Sequence, residues 1–166
     1  MLEQLNRVRG LVRRLGAADG GNSAVEFATA APILILIAFG GFDYGRAYVE
    51  EVRMNGAARA GAQYALYEPA NWTDDATMER TALEEYVGHA LSDSDMASLP
   101  ISAAASNFCA CTAGATLACS DTCPGGGAPG RFVRVTLAGA VPLTLPYPWS
   151  ADGQAAVGGE AVVRVR

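Results

Sequence analysis

The sequence predicts an α+β fold in which one long N-terminal helix packs on a second helix and a small antiparallel β-sheet with a disulfide-stapled loop. Three observations carry this. Phe27 to Phe42 is a run of 16 residues without a charge. The pattern then stays helical, with no breaker until Pro69. After residue 98 the chain turns to Cys-, Gly- and Ala-rich sequence and β-branched alternation.

Charge and composition set the layout. Hydrophobic residues make up 51% of the 166-residue chain and charged ones 17%, more apolar than an ordinary soluble domain, so part of it is suited to lipid. All 12 basic residues are Arg, and four of them (Arg7, Arg9, Arg13 and Arg14) fall in residues 1–21 beside only Glu3 and Asp19. The remainder carries 8 Arg against 15 acidic residues. A short basic head on an acidic body fits a cytoplasmic leader before a membrane span, and argues against nucleic-acid binding by the body. The expected organisation is a leader over 1–21, a long helix over 22–67 with its transmembrane part at about 24–42, and a small exported α+β domain over 68–166.

The apolar run would rise about 24 Å as a helix, somewhat short of the ~30 Å hydrocarbon core. A cleavable secretory signal is the first rival for such a run. It needs small residues soon after the apolar stretch, yet Asp43-Tyr44-Gly45-Arg46 follows, and Ala58-Arg59-Ala60 is too distant. Beyond Phe42, Asp43, Arg46, Glu50 and Arg53 recur at steps of three and four and predict a charge ladder along one face. Gly41, Gly45, Ala57, Gly61 and Ala65 form a stripe of small residues against which another backbone can lie. Pro32 removes a hydrogen bond to the carbonyl of Ala28 and is expected to kink the span.

Glu68-Pro69 ends the long helix, because the residue before proline is pushed out of helical geometry. Asp74 or Asp75 can cap a second helix of roughly 76–92, with Leu83, Tyr86, Val87, Ala90 and Leu91 on one face. Strand character is weak around 101–111. It is clearer over 131–139, where Val133, Val135 and Leu137 alternate with Phe132, Arg134 and Thr136. A closing strand over roughly 155–166 sets Val163 and Val165 against Arg164 and Arg166. Between these two strands, Pro142, Pro146 and Pro148 predict an irregular segment in which Tyr147 and Trp149 pack.

Cys109, Cys111, Cys119 and Cys123 lie within 15 residues of each other. An even cluster in an exported domain predicts two disulfides. A zinc site is the rival, but its usual spacing places two residues inside each close pair. Joining Cys109 to Cys111 would strain a very short loop. Of the other two pairings, the nested one (Cys109–Cys123 with Cys111–Cys119) is preferred over the interleaved one. His89, the single histidine, is placed on the second helix and is expected to be a surface or interface imidazole rather than a catalyst. Gly125-Gly126-Gly127 precedes no helix and so is no phosphate cradle. No nucleophile motif is legible, so neither an enzyme nor a cofactor or small-molecule substrate is expected.

The block Gly21-Asn22-Ser23-Ala24-Val25-Glu26-Phe27 resembles the processing site of type IV pilin-like proteins of the tight-adherence (Flp) branch. More specifically, Glu26-Phe27-Ala28-Thr29-Ala30-Ala31-Pro32-Ile33-Leu34 resembles the TadE-like family. The layout of a cysteine-bearing stretch before a C-terminal strand pair, with Arg164 and Arg166 in the last strand, is loosely similar too. The resemblance implies cleavage after Gly21 by a prepilin peptidase, with Glu26 fifth in the mature chain and Phe27 where Flp pilins prefer Tyr. It further implies a pseudopilin or minor pilin of the bacterial inner membrane, with other pilin-like subunits and the pilus assembly platform as partners. The spacing has a physical use. On a helix, residues 22 and 26 share a face about 6 Å apart along the axis. A carboxylate is favoured there by the helix dipole, whereas deeper in lipid it would cost about 2.5–3.5 kcal/mol without a partner. Two rivals remain: a permanently anchored, unprocessed assembly or secretion factor, and a membrane-tethered periplasmic binding or redox module.

Overall fold

The computed structural model describes residues 20–111, 116–145, 147, 150 and 152–165. The expectations for the Arg-rich head, Pro146, Pro148, Trp149 and Arg166 lie outside these residues. Helix α1 spans Gly20–Tyr67, a 3-10 turn spans Pro69–Asn71, α2 spans Asp75–Val87, and α3 spans Asp93–Ser98. Four strands follow: β1 (Ile101–Ala110), β2 (Thr116–Leu117), β3 (Gly130–Pro142) and β4 (Gln154–Val165). They form one antiparallel sheet in the order β2-β1-β3-β4. The long helix, the further helices, the antiparallel sheet and the disulfide-closed loop are the predicted α+β architecture. The described residues divide into two compact units at the step from Phe42 to Asp43.

Within Asp43–Arg166 the core lies between α1, α2 and one face of the sheet. The alternation in β3 resolves as expected, with Val133, Val135 and Leu137 buried. They join Val157, Ala161 and Val165 of β4 and Met54, Ala57, Ala58, Ala62 and Ala65 of α1 in a single apolar cluster. Small residues let the backbones approach. A Cβ on Gly159 would collide with the α1 backbone at Met54 and Asn55, so only glycine lets β4 lie against that helix. At Gly61 a Cβ would sit 2.6 Å from the Met78 carbonyl oxygen and 2.9 Å from the Ala82 side chain, which seats α2 on α1.

Asp74 caps α2, its carboxylate accepting from the Thr77 amide at 3.2 Å. The helix stops at Val87, earlier than the expected end near 92, because Gly88 takes a left-handed C-cap at φ 84°. His89 and Ala90 are therefore exposed beyond the helix, while Leu91 still turns into the core. The short α3 was not anticipated. A capping box opens it, in which the Ser92 hydroxyl accepts from the Asp95 amide and the Asp95 carboxylate accepts from the Ser92 amide. The Ser92 hydroxyl also donates to the Asp95 carboxylate at 2.6 Å, and that bond, followed by the one from the Ser92 amide, holds the Asp95 carboxyl below its ordinary pKa.

The cysteine pairing differs from the nested preference. Cys109 bonds Cys119 and Cys111 bonds Cys123, with Cα separations of 5.2 and 5.9 Å. Strand register is the reason. In the antiparallel β1–β2 pair, Cys109 stands opposite Leu117. Moving on from Leu117 to Cys119 therefore leads back toward the start of β1 and away from Cys111. Cys119 is thus a diagonal neighbour of Cys109, and Cys111 meets Cys123 as the chain returns through the loop.

Candidate membrane and assembly surface

Two sets of residues stand out: the apolar length of α1 before Asp43, and the ring of groups where the body meets α1 from Asp43 onward. Gly20–Phe42 comprises 23 residues of α1, about 34 Å at 1.5 Å per residue, of which the uncharged Phe27–Phe42 part rises about 24 Å. Ile33, Leu34, Ile35, Leu36 and Ile37 are consecutive, so their side chains point around the whole helix, and each is more than half exposed. Among the described residues this is the one helix long and apolar enough to cross a membrane, and its most apolar 18-residue window has a mean hydropathy of 1.9. A helix apolar on all sides needs lipid or other helices around it. Burying each such side chain is worth about 1.5–3 kcal/mol.

Gly21, Asn22, Glu26 and Phe27 all fall in the first turns of this helix. Glu26 and Phe27 are exposed. The Thr29 hydroxyl donates to the Glu26 carbonyl oxygen at 2.8 Å, which spares the apolar segment an unsatisfied hydroxyl. Pro32 stands inside the continuous helical path.

The predicted charge ladder does not form as a unit, because its first member turns inward. Asp43 is 3% exposed and is the one buried charged side chain among the described residues. Its carboxylate accepts from the Thr144 amide at 3.0 Å, from the Thr144 hydroxyl at 2.7 Å and from the Tyr147 hydroxyl at 3.1 Å. The Thr144 hydroxyl bond leads in holding the Asp43 carboxyl below its ordinary pKa. Burial, and then the bond to Asp43, raises the Tyr147 hydroxyl above its own. This clamp ties the segment between β3 and β4 to α1. It was not legible, because the partners lie 101 residues apart. A charged residue directly after an apolar run reads as a solvated boundary.

Further along, Arg53 and Glu50 do pair as expected, at 3.2 Å. Glu50 also accepts from the Tyr86 hydroxyl of α2 at 3.0 Å, and burial together with that bond raises the Tyr86 pKa. The small-residue stripe divides in the same way. Ala57, Gly61 and Ala65 are covered from within the body, whereas a Cβ on Gly41 or Gly45 would meet nothing within 4 Å.

On the sheet face turned away from the helices, Phe108 and Phe132 stack with centroids 5.5 Å apart, and the Arg134 guanidinium lies 5.3 Å over Phe108. Arg134 also pairs with Glu160 at 2.9 Å. The sulfurs of Cys109, Cys111, Cys119 and Cys123 are all joined in disulfides, so they offer no thiolates to a metal. Among the described residues, no group of three or more His, Cys, Asp and Glu gathers as a metal site.

Residues 21–63 match the family model described as TadE-like protein. The matched segment begins at the glycine of the expected processing site and takes in the whole apolar run, Asp43 and most of the part of α1 that carries the body. No curated protein and no solved structure matches the chain. The TadE-like segment links the chain, in general terms, to the machinery of tight-adherence pili.

Proposed function

We propose that this chain is a pseudopilin or minor pilin of a tight-adherence pilus, anchored in the bacterial inner membrane by α1 and passed from lipid into a bundle of like helices during assembly. The Arg-rich head stays in the cytoplasm, a prepilin peptidase cuts after Gly21, and the body faces the periplasm. The observation that carries this reading is the coincidence of the TadE-like match at residues 21–63 with a fully exposed apolar helix. Two disulfides in the body suit an oxidising compartment.

In this mechanism lipid and neighbouring helices are interchangeable covers for Ile33–Phe39, so lateral transfer costs little hydrophobic energy. Selectivity then comes from the polar exceptions. Glu26, one turn after the new amino terminus at Asn22, can accept the amine of an adjacent subunit and fix axial register. Gly41 and Gly45 leave room for a close helix–helix approach. The role is structural rather than catalytic, and it calls for no cofactor. The partners are the peptidase, other pilin-like subunits and the assembly platform.

Terminal sequencing of the protein extracted from membranes tests the proposal. A mature start at Asn22, abolished by Gly21→Leu, is the expected result. A start at Met1 in cells with an active prepilin peptidase would instead identify a permanently anchored, unprocessed factor.

A further inference from the structure

The two edges of the sheet are unlike. On one side the edge strand β2 is two residues long. On the other, β4 runs for 12 residues, longer than the short edge strands that protect many sheets, with no Pro and with charge only at Glu160 and Arg164. The direction of the free groups follows from the hydrogen bonds. The Glu160 amide donates to the Asn55 side chain at 3.2 Å, so it points away from β3. Alternation in an antiparallel ladder then turns the amides of Val162 and Arg164 outward as well. Among the described residues neither amide has a partner across that edge, and Asn55 plugs the edge at Glu160 alone.

The surroundings are shaped for an added strand. Arg59, Gln63 and Leu66 of α1 wall a groove of about 430 Å³ beside Glu160–Val163. Val162 is 45% exposed and is the one large exposed hydrophobic of the sheet among the described residues. Arg59 has no acidic partner among the described residues, in contrast to Arg53, Arg80 and Arg134.

We infer that the outer edge of β4 is a docking site for an extended segment of another protein, added as a fifth strand. That segment carries apolar residues on the outer face of the sheet to meet Val162 and acidic residues on the helix face to meet Arg59. Main-chain bonds supply the affinity, and the alternating side chains supply the choice of partner. A second copy of this chain fits less well. Its own Arg59 would come to the same side of the joined sheet and set like charge against like. The inference concerns the body alone and stands whether or not the leader is cut.

Hydrogen exchange on the full chain in detergent tests it, with a nine-residue peptide of alternating valine and glutamate as probe. Saturating peptide should slow the Val162 and Arg164 amides about tenfold or more and leave the Val163 amide, bonded to β3, unchanged. Arg59→Glu should transfer the preference to the same peptide with lysine for glutamate. Val162→Pro should abolish the protection while β3–β4 pairing survives, since the lost amide points outward. No slowing with the glutamate peptide would overturn the inference. So would equal slowing with a peptide N-methylated along its bonding edge. Slowing that follows protein concentration without peptide would overturn it in favour of self-association.

Discussion

Asp43 shows how one residue can change the meaning of a pattern. In the linear sequence it is the first rung of a charge ladder; in the fold it is buried under Thr144 and Tyr147. Removing one partner of a buried hydrogen-bonded group leaves the others unsatisfied. Asp43→Ala should therefore lower the thermal midpoint of the body and speed exchange at the Thr144 amide, with Asp43→Asn retaining part of the stability. The pH dependence has a definite sign. Because the folded-state pKa lies below the ordinary value of 3.8, the carboxylate contributes stability above that value and loses it as pH falls toward the folded-state pKa. The advantage of the native chain over Asp43→Asn should hold from neutral pH to about pH 5 and shrink below it. Melting curves of the two proteins across that range check this. Glu26 is the opposite case. Its signal, four residues after Asn22, is local in the sequence, and its test is assembly: Glu26→Gln should spare membrane insertion and reduce recovery in sheared pilus fractions.

At the scale of elements, legibility followed the strength of the local pattern. The apolar run and the stop at Pro69 defined α1, and Val133, Val135 and Leu137 defined β3, since period and burial agree there. Strand β1 was faint because its sequence, Ser102-Ala103-Ala104-Ala105-Ser106, offers hardly any contrast between faces. It is a strand because β3 pairs with it over ten positions, a long-range cause. The end of α2 was missed because Gly88 stops it before the apolar spacing does. The disulfides were anticipated but their pairing was not, since it depends on the register of a two-residue strand. Peptide mapping without reduction should recover Cys109 joined to Cys119 and Cys111 joined to Cys123. Removing either bond should cost about 2–4 kcal/mol. Gly159→Val should destabilise the body by about 1–3 kcal/mol or more, because the added side chain must displace the α1 backbone at Met54 and Asn55. Chemical denaturation of the variants measures both.

For the molecule as a whole, polarity is divided along the chain. An apolar helix exposed on every side occupies one unit, and an acidic, disulfide-closed α+β body forms the other. The proposed role therefore rests on where each half resides: residues 27–42 in lipid and the body on the far side of the membrane from the Arg-rich head. Protease added to intact spheroplasts tests this most directly. Residues beyond Asp43 should be digested from outside while a short N-terminal fragment stays with the membrane. A body that resists until the cells are lysed, or a chain recovered in the soluble fraction, would contradict it.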